Sequence, residues 1–389
     1  MGIKQEMQKE LTEHILPFWQ KLRDEKGGFC GYVSYDLKTD FDADKGTILH
    51  SRILWVFSEA YRALGGRHLL ESAEHAYRFL ADACVDKENG GVYWSVTADG
   101  CPADTTKHTY AQAFAVYGLS AYYAASGDTQ ALKLAYALFQ LIETKCWGGN
   151  GYSEAFDRLW NKAENDKLSE NGVEAQRTMN TLLHIFEAYA QLYTVDQNSQ
   201  VAAAMRRILE CFVQRIYAPA LHRQEVFFDA QWRSLIDLHS YGHDIEASWL
   251  LDWGCNLLED TDLSARVGKM TADLAENILR RGLHENRVFN ECENGVDDKT
   301  QVWWVQAEAV IGFTNMWQKT GDSAYLKIVR KIWAHIQQTV VDPRPGSEWF
   351  WSLDDKGVPN KKPIVEPWKC PYHNGRMCLE MMRRLPNDV

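Results

Sequence analysis

The sequence predicts an all-α fold, an (α/α)6 barrel of six helical hairpins with short β-rich loops at one mouth. Three observations predict it. A short polar break recurs at Gly65-Gly66, Gly127-Asp128, Val195-Asp196, Glu259-Asp260 and Gly321-Asp322, at intervals of 62 to 68 residues. Each break lies between two stretches whose apolar residues recur at helical spacing, so the repeating unit is a helical hairpin. Between hairpins come short β-rich runs bounded by Gly or Asn, at 27–35, 90–96, 148–156, 225–232, 287–295 and 348–357, which read as hairpins or loops.

The elements follow in order. The opening MGIKQEMQKELTEHILPFW is amphipathic and charged, and gives a helix over 2–24. Apolar periodicity then predicts helices over 46–64, 67–84, 107–126, 129–145, 173–194, 197–216, 241–259, 262–281, 299–319, 322–341 and 371–384. The even-numbered helices carry small and aromatic residues, as in FAVYGLSAYYAA, and belong inside. Odd-numbered ones such as SQVAAAMRRILECFVQRI carry charged stripes and belong outside. An open solenoid is the competing arrangement for repeated helix pairs. The first helix lacks a partner until the last one arrives, which favours a closed ring and a single catalytic domain over 1–389.

Composition narrows the function. The net charge is −11, and no run of Lys or Arg could track phosphates, which argues against a nucleic-acid partner. No segment holds eighteen uninterrupted apolar residues and the N-terminus lacks a signal-peptide core, so the expectation is a soluble, cytoplasmic protein without a membrane partner, working as a monomer. Nine cysteines are scattered without C-x-x-C spacing, which predicts free thiols and neither disulfides nor structural zinc. Aromatic residues make 12% of the chain, enough for some to line a cavity. No P-loop or G-x-G-x-x-G run suggests a nucleotide, and no cofactor is expected.

Ionisable and polar residues gather where the inner helices begin. They are His50 and Arg52, His108 and Tyr110, Asn180 and His184, His243 and Glu246, Trp303, Trp304 and Glu308, and Trp368, His373 and Arg376. The run HSYGHDIEASW sets His243 and Glu246 one helical turn apart, so a base and a carboxylate share a face. His239, His243 and Glu246 have metal-ligand spacing, but His239 precedes the helix and the order is not H-E-x-x-H, so no metal is expected. His50 reads as a capping or packing residue, and His184 as either a core histidine or a ligand-facing one. Glu308 reads equally as a ligand contact or as the partner of an interior arginine. Consecutive tryptophans cannot face one way, so at least one of Trp303 and Trp304 should border the cavity. His68, His75, His222 and His335 read as solvated.

Two histidines, His243 and His373, could present imidazoles to opposite sides of one substrate, which suits proton abstraction beside a carbonyl. An aldose becomes acidic at C2 only once its ring opens to the aldehyde. The enediolate that follows needs a cation or hydrogen bonds, which Arg52 could supply. Return of a proton to the other face of C2 gives the epimer, and return to C1 gives a ketose.

The motifs HSRILW, KHTYAQAFA, HSYGHDIEASWL, VWWVQAEAV and EPWKCPYHNGRMC together resemble the N-acylglucosamine 2-epimerase superfamily, in particular its branch acting on β-1,4-linked disaccharides, over essentially the whole chain. The resemblance implies an (α/α)6 barrel and cofactor-independent interconversion of reducing-end glucose with mannose, turning cellobiose into glucosylmannose and lactose into epilactose. It implies His243 and His373 as the acid/base pair, Glu246 as the carboxylate that assists or orients His243, and Arg52 as a clamp on substrate oxygen. Tyr110, Asn180 and His184 would bind substrate, with His184 helping ring opening. Trp303 or Trp304 would lie near the reducing sugar, and Trp368 would stack on the second sugar. Rival readings are an N-acylglucosamine epimerase or mannose/fructose isomerase of the same superfamily, an (α/α)6 glycoside hydrolase using Glu246 and Glu308, which would leave both histidines idle, and a non-catalytic sugar-binding protein.

Overall fold

The computed structural model describes residues 2–168 and 171–386, and twelve helices run through them. Helix α1 starts at Ile3–Lys9, widens into a π-turn over Glu10–Ile15 and resumes at Leu16–Lys21. There follow α2 (Thr47–Leu64), α3 (Arg67–Phe79), α4 (Thr109–Ser126), α5 (Thr129–Leu141), α6 (Met179–Asp196), α7 (Ser199–Cys211) and α8 (Tyr241–Asn256). The last four are α9 (Thr261–Asn277), α10 (Trp303–Thr320), α11 (Ser323–His335) and α12 (Tyr372–Arg384).

The repeat has local causes. Helices α4 and α10 end on Gly127 and Gly321 in the left-handed region, at φ 74° and 71°, where glycine has no Cβ to clash. The aspartate that follows caps the next helix, Asp128 accepting from Gln130 N at 2.8 Å and Asp322 from Ala324 N at 2.8 Å. The third break lies two residues beyond the expected Val195-Asp196: α6 runs through Asp196, Gln197 takes the left-handed turn at φ 54°, and Asn198 accepts from Gln200 N at 2.9 Å. An asparagine cap hid it from the pattern, which took Asp196 two residues earlier for the capping aspartate.

Each odd helix from α3 to α11 closes in a five-residue π-turn, at Leu80–Cys84, Ile142–Cys146, Phe212–Ile216, Ile278–Gly282 and Ile336–Val340, a feature with no compositional signal. Each even helix from α2 to α10 is entered through a short strand, at Lys45–Gly46, Lys107–His108, Arg177–Thr178, Leu238–Ser240 and Gln301–Val302. The helices expected from 107, 173 and 299 therefore start later, at 109, 179 and 303.

The chain forms two compact units. One comprises residues 15–201 and 363–372, and in it α2 packs along α3 and α4, and α4 along α5 and α6. The other comprises residues up to 14, 202–362 and from 373 onward, and in it α8 packs along α9 and α10, and α10 along α11. The two share a packing device. A Cβ on Gly118 of α4 would lie 2.5 Å from the Ser51 carbonyl of α2, and one on Gly312 of α10 would lie 2.9 Å from the Ile245 carbonyl of α8, so glycine at the tenth position of each helix lets its neighbour's backbone approach.

A second shared device fixes the loops to the helix starts. The fourth residue of an even helix clasps the preceding loop: Gln112 accepts from Val92 N at 2.7 Å and donates to the Val92 carbonyl, and Gln306 does the same with Val288. His50 occupies this position in α2, its Nε2 accepting from Phe29 N at 2.9 Å and its Nδ1 bonded to the Gly46 carbonyl. It is a packing residue, as read, and burial first of all pushes its pKa down to about 4. In α8 the position is Asp244, which holds Gln224 and His239. His335 departs from expectation: it is buried and bonds Gln301 Oε1 at 2.7 Å. His75 is only half-buried, and bonds the Gly28 carbonyl at 2.7 Å.

Candidate active site

With the fourth residue of α2, α4, α8 and α10 committed to the loop, the second and sixth positions of the even helices stand one turn apart on another face. They include Arg52 in α2, Tyr110 and Phe114 in α4, Asn180 and His184 in α6, Glu246 in α8, Trp304 and Glu308 in α10, and His373 in α12. The residues expected at the site fall into two clusters, one in each unit.

In the unit built on α8, α10 and α12, the centre is the indole of Trp304. The imidazole of His243 lies against it at a centroid distance of 4.9 Å, and that of His373 at 5.4 Å. Trp303 is buried, packs on Trp351 at 4.9 Å and meets His373 edge-on at 6.2 Å, so of the adjacent tryptophans it is Trp304 that meets both histidines. Gly242 makes room for this, since a Cβ there would come within 2.4 Å of the Trp304 ring.

The two imidazoles are held differently. His373 Nδ1 lies 2.7 Å from Glu308 Oε1, and because an ionised carboxylate only accepts, Nδ1 carries the proton and Nε2 is the basic nitrogen. His243 Nδ1 is 2.7 Å from the hydroxyl of Ser240, the residue before α8. Glu308 is the partner of an interior arginine, one of the two roles the sequence allowed it: Oε1 also accepts from Arg376 Nη2 at 2.7 Å, while Oε2 accepts from Trp249 Nε1 at 2.9 Å. Arg376 donates to Glu246 as well, and its guanidinium lies 4.8 Å over the Trp249 ring. The carboxylate expected to orient His243 is thus drawn to Arg376 and stands 3.9 Å from His373 Nδ1. Glu246, Glu308 and His373 lie close enough to share a cation, and a guanidinium already supplies that charge. His239, weighed as a metal ligand, is bonded to Asp244 at 2.8 Å.

In the other unit the centre is Arg52. It is buried, and no carboxylate of the described residues lies within ion-pairing distance. Its Nη2 donates to the Tyr110 hydroxyl at 2.8 Å, and its guanidinium rests over the rings of Phe114 at 4.2 Å and Tyr372 at 4.7 Å. Burial works against the charge, but Tyr110, Cys370 and Tyr372 outweigh it and hold the pKa above its ordinary value. The Nε of Arg52 has no hydrogen-bond partner, nor has Oδ1 of Asn180. A buried cation without a counter-ion and an amide oxygen without a donor are costly unless a ligand completes them.

His184 Nδ1 is bonded to Glu187 Oε2 at 2.8 Å, and the Tyr372 hydroxyl donates to the same carboxylate. Tyr110 meets the His184 ring at 5.1 Å. Trp368, half-buried, stands edge-on to Tyr110 and to Trp94, each at 5.7 Å. Beside Trp94 opens a cleft of about 340 Å³ lined by Asp44, Gly46, Ile48, Ser95, Asp104 and Pro367. Glu187, Tyr372, Ser240 and Gly242 escaped the sequence reading. For Glu187 a signal existed, because His184 and Glu187 repeat the i, i+3 spacing noticed at His243 and Glu246.

Comparison with known proteins bears on both clusters. Residues 27–375 match the model of the N-acylglucosamine 2-epimerase (GlcNAc 2-epimerase) family. The chain is 50% identical to a cellobiose 2-epimerase of Ruminococcus albus, across 97% of this chain and 98% of that one. It superposes on the crystal structure of a sugar epimerase from a ruminal bacterium with a TM-score of 0.98, at 49% identity over 99% of this chain and 100% of the other. On a cellobiose 2-epimerase from Bacillus thermoamylovorans B4167 the TM-score is 0.96, at 44% identity over 98% of this chain and 99% of the other. The fold class expected from the repeat, the (α/α)6 barrel, is that of these structures. Among the described residues no helix is long and apolar enough to cross a membrane.

Proposed function

The chain belongs to the N-acylglucosamine 2-epimerase family, and from that premise we propose that it inverts C2 of the reducing-end glucose of β-1,4-linked disaccharides, converting cellobiose to glucosylmannose and lactose to epilactose. The observation that carries this reading is the pair of imidazoles on one indole, His243 and His373 against Trp304. Inversion needs a base on one side of C2 and an acid on the other, and an aromatic face suits the C–H surface of a sugar.

In this mechanism the open-chain aldehyde loses its C2 proton to one imidazole, and the enediolate takes a proton from the other on the opposite face. Glu308 fixes the tautomer of His373 and stabilises its imidazolium as that forms, as the carboxylate of a catalytic triad does. Ser240 orients His243. Glu246 acts with Arg376 as a fixed charge pair beside His373. We assign Arg52 to the sugar oxygen that gains negative charge, Tyr110, Asn180 and His184 to substrate binding, and Trp368 to the second sugar. A proton leaves C2 and a proton returns, so the electron count of the sugar is unchanged and the reaction calls for no redox cofactor. Incubation with cellobiose, without added metal or nucleotide, should yield glucosylmannose with total disaccharide conserved. Release of free glucose would select a hydrolase and overturn the reading.

A further inference from the structure

The first residue of four even helices donates its N–H to a carbonyl in the loop beyond the next helix: Thr47 to Trp94 at 3.0 Å, Thr109 to Glu154 at 2.8 Å, Tyr241 to Asn290 at 3.2 Å and Trp303 to Trp351 at 3.2 Å. At three of these loop positions the side chain is half-buried and uncharged. Glu154 departs from them. Its carboxylate is buried and turned to the start of α6, where Oε1 accepts from Thr178 N at 2.6 Å and Oε2 from Thr181 Oγ1 at 2.5 Å. Thr178 caps α6 by accepting from Thr181 N at 3.0 Å, and Asn180 lies between the two threonines. Glu154 thus ties α4 through its main chain and α6 through its side chain, the two helices whose Tyr110 and His184 rings meet at 5.1 Å. It does so without a cation. Among the described residues its ion-pair neighbour is His108, with Nε2 at 3.9 Å. That ring is neutral: Nδ1 accepts from Tyr110 N at 3.3 Å, so Nε2 carries the proton and donates to Asn165 Oδ1 at 3.0 Å. A buried carboxylate without a cation costs stability, and the loops at Trp94, Asn290 and Trp351 join their helices without one.

We propose that Glu154 is a positioning residue for the reaction: its carboxylate sets the first turn of α6 so that the Asn180 amide, whose Oδ1 has no protein partner, meets the substrate. The proposal rests on the reading of Asn180 as a substrate contact. Glu154 acts through α6, with both carboxylate oxygens engaged by its first turn. Its main-chain carbonyl holds α4 whatever the side chain, so a side-chain substitution disturbs α6 alone, and the loss falls on binding more than on the chemical step. The titratable groups facing the carboxylate are His108, from the strand before α4, and Cys146, from the π-turn that ends α5. Burial pushes the first down to about 4 and the second up to about 12. Asp166 and Lys167, which act on His108 from the following loop, pair with each other at 3.2 Å. Burial also pushes Glu154 up to about 7, against the pull of its two donors, so it is the group here that changes charge near neutrality. Its hold on α6 is charge-assisted above that pH and weaker below it.

The test is steady-state epimerisation of cellobiose across the neutral pH range, with a circular dichroism melt of each variant. Glu154→Ala removes both contacts and should raise KM about tenfold, with kcat within about twofold of the wild type. Thr181→Val removes one contact and should raise KM less. Glu154→Gln keeps an acceptor for Thr178 N but no charge. Its KM should lie between those of Glu154→Ala and the wild type, and the fall in KM that the wild type shows as pH rises through about 7 should be missing from it. Should Glu154→Ala fail to fold, Thr181→Val and Glu154→Gln decide the matter. A wild-type KM in both of these, even with lowered melting temperatures, would make Glu154 a purely structural anchor and overturn the proposal while leaving the epimerase reading intact. A fall in kcat at constant KM, or the same pH step in Glu154→Gln, would overturn it too. A wild type that does not epimerise cellobiose would sink both readings before any variant is compared.

Discussion

Glu308 Oε1 stands 2.7 Å from His373 Nδ1 and accepts from Arg376 at the same distance. One carboxylate oxygen thereby fixes the tautomer of an imidazole and neutralises a buried guanidinium. Glu308→Gln would offer an amide N–H where His373 needs an acceptor, or leave Arg376 facing a neutral group. The variant should fold, lose kcat by about a hundredfold or more, and keep a KM near that of the wild type. Steady-state kinetics with a circular dichroism melt checks this. A parallel rise in KM with kcat unchanged would mean that Glu308 only binds substrate.

Gly242 sets where Trp304 can lie. A methyl group there would stand 2.4 Å from the indole and 2.7 Å from Val305 Cγ2, so Gly242→Ala should push the ring from its place against the two histidines, costing about 1–3 kcal/mol in stability and at least tenfold in kcat/KM. In a Trp304→Ala background only the Val305 contact remains, so the same change should cost less than in the wild type, and a double-mutant cycle measures that difference.

His50 predicts a gain. Its pKa, about 4 in the fold, lies below the ordinary 6.5 because burial disfavours the charged ring. The unfolded chain therefore binds a proton that the folded chain refuses, and stability is lost as pH falls from about 6.5 to about 4, by up to ~3 kcal/mol from this group. Gln112 and Gln306 make the same two kinds of bond at the equivalent position. His50→Gln should therefore match wild-type stability near pH 7.5 and exceed it near pH 5 in urea melts. A variant that is equally acid-sensitive would show that other groups govern this range.

Trp368 bears on substrate length. If it carries the second sugar, Trp368→Ala should lower kcat/KM for cellobiose by about tenfold, roughly 1.4 kcal/mol, and change turnover of a reducing monosaccharide much less. Equal losses on both would place Trp368 at the reducing sugar instead.

The helices were legible because their causes are local: apolar spacing, a glycine turn and an aspartate cap repeat along the chain. The Gln197-Asn198 break was misplaced by two residues because its cap is Asn198, while Asp196 just before it mimics the capping aspartates Asp128, Asp260 and Asp322 of other breaks. The residues of the site were legible as chemical types clustered at helix starts, but their pairing was not. The spacing of His243 and Glu246 set a carboxylate on the face of a base, and the structure shows the same spacing bonded at His184 and Glu187. It gives Glu246 a partner that no spacing could show, Arg376 on another helix. Which carboxylate an imidazole meets is decided by tertiary packing, and Arg376 lies 130 residues from Glu246.

The central claim is that His243 and His373 move a proton at C2. Turnover of cellobiose in heavy water, read by NMR, should place one deuterium at C2 of each glucosylmannose formed, and both His243→Ala and His373→Ala should abolish that labelling. Epimerised product carrying no deuterium at C2, or labelling that survives loss of both imidazoles, would contradict it.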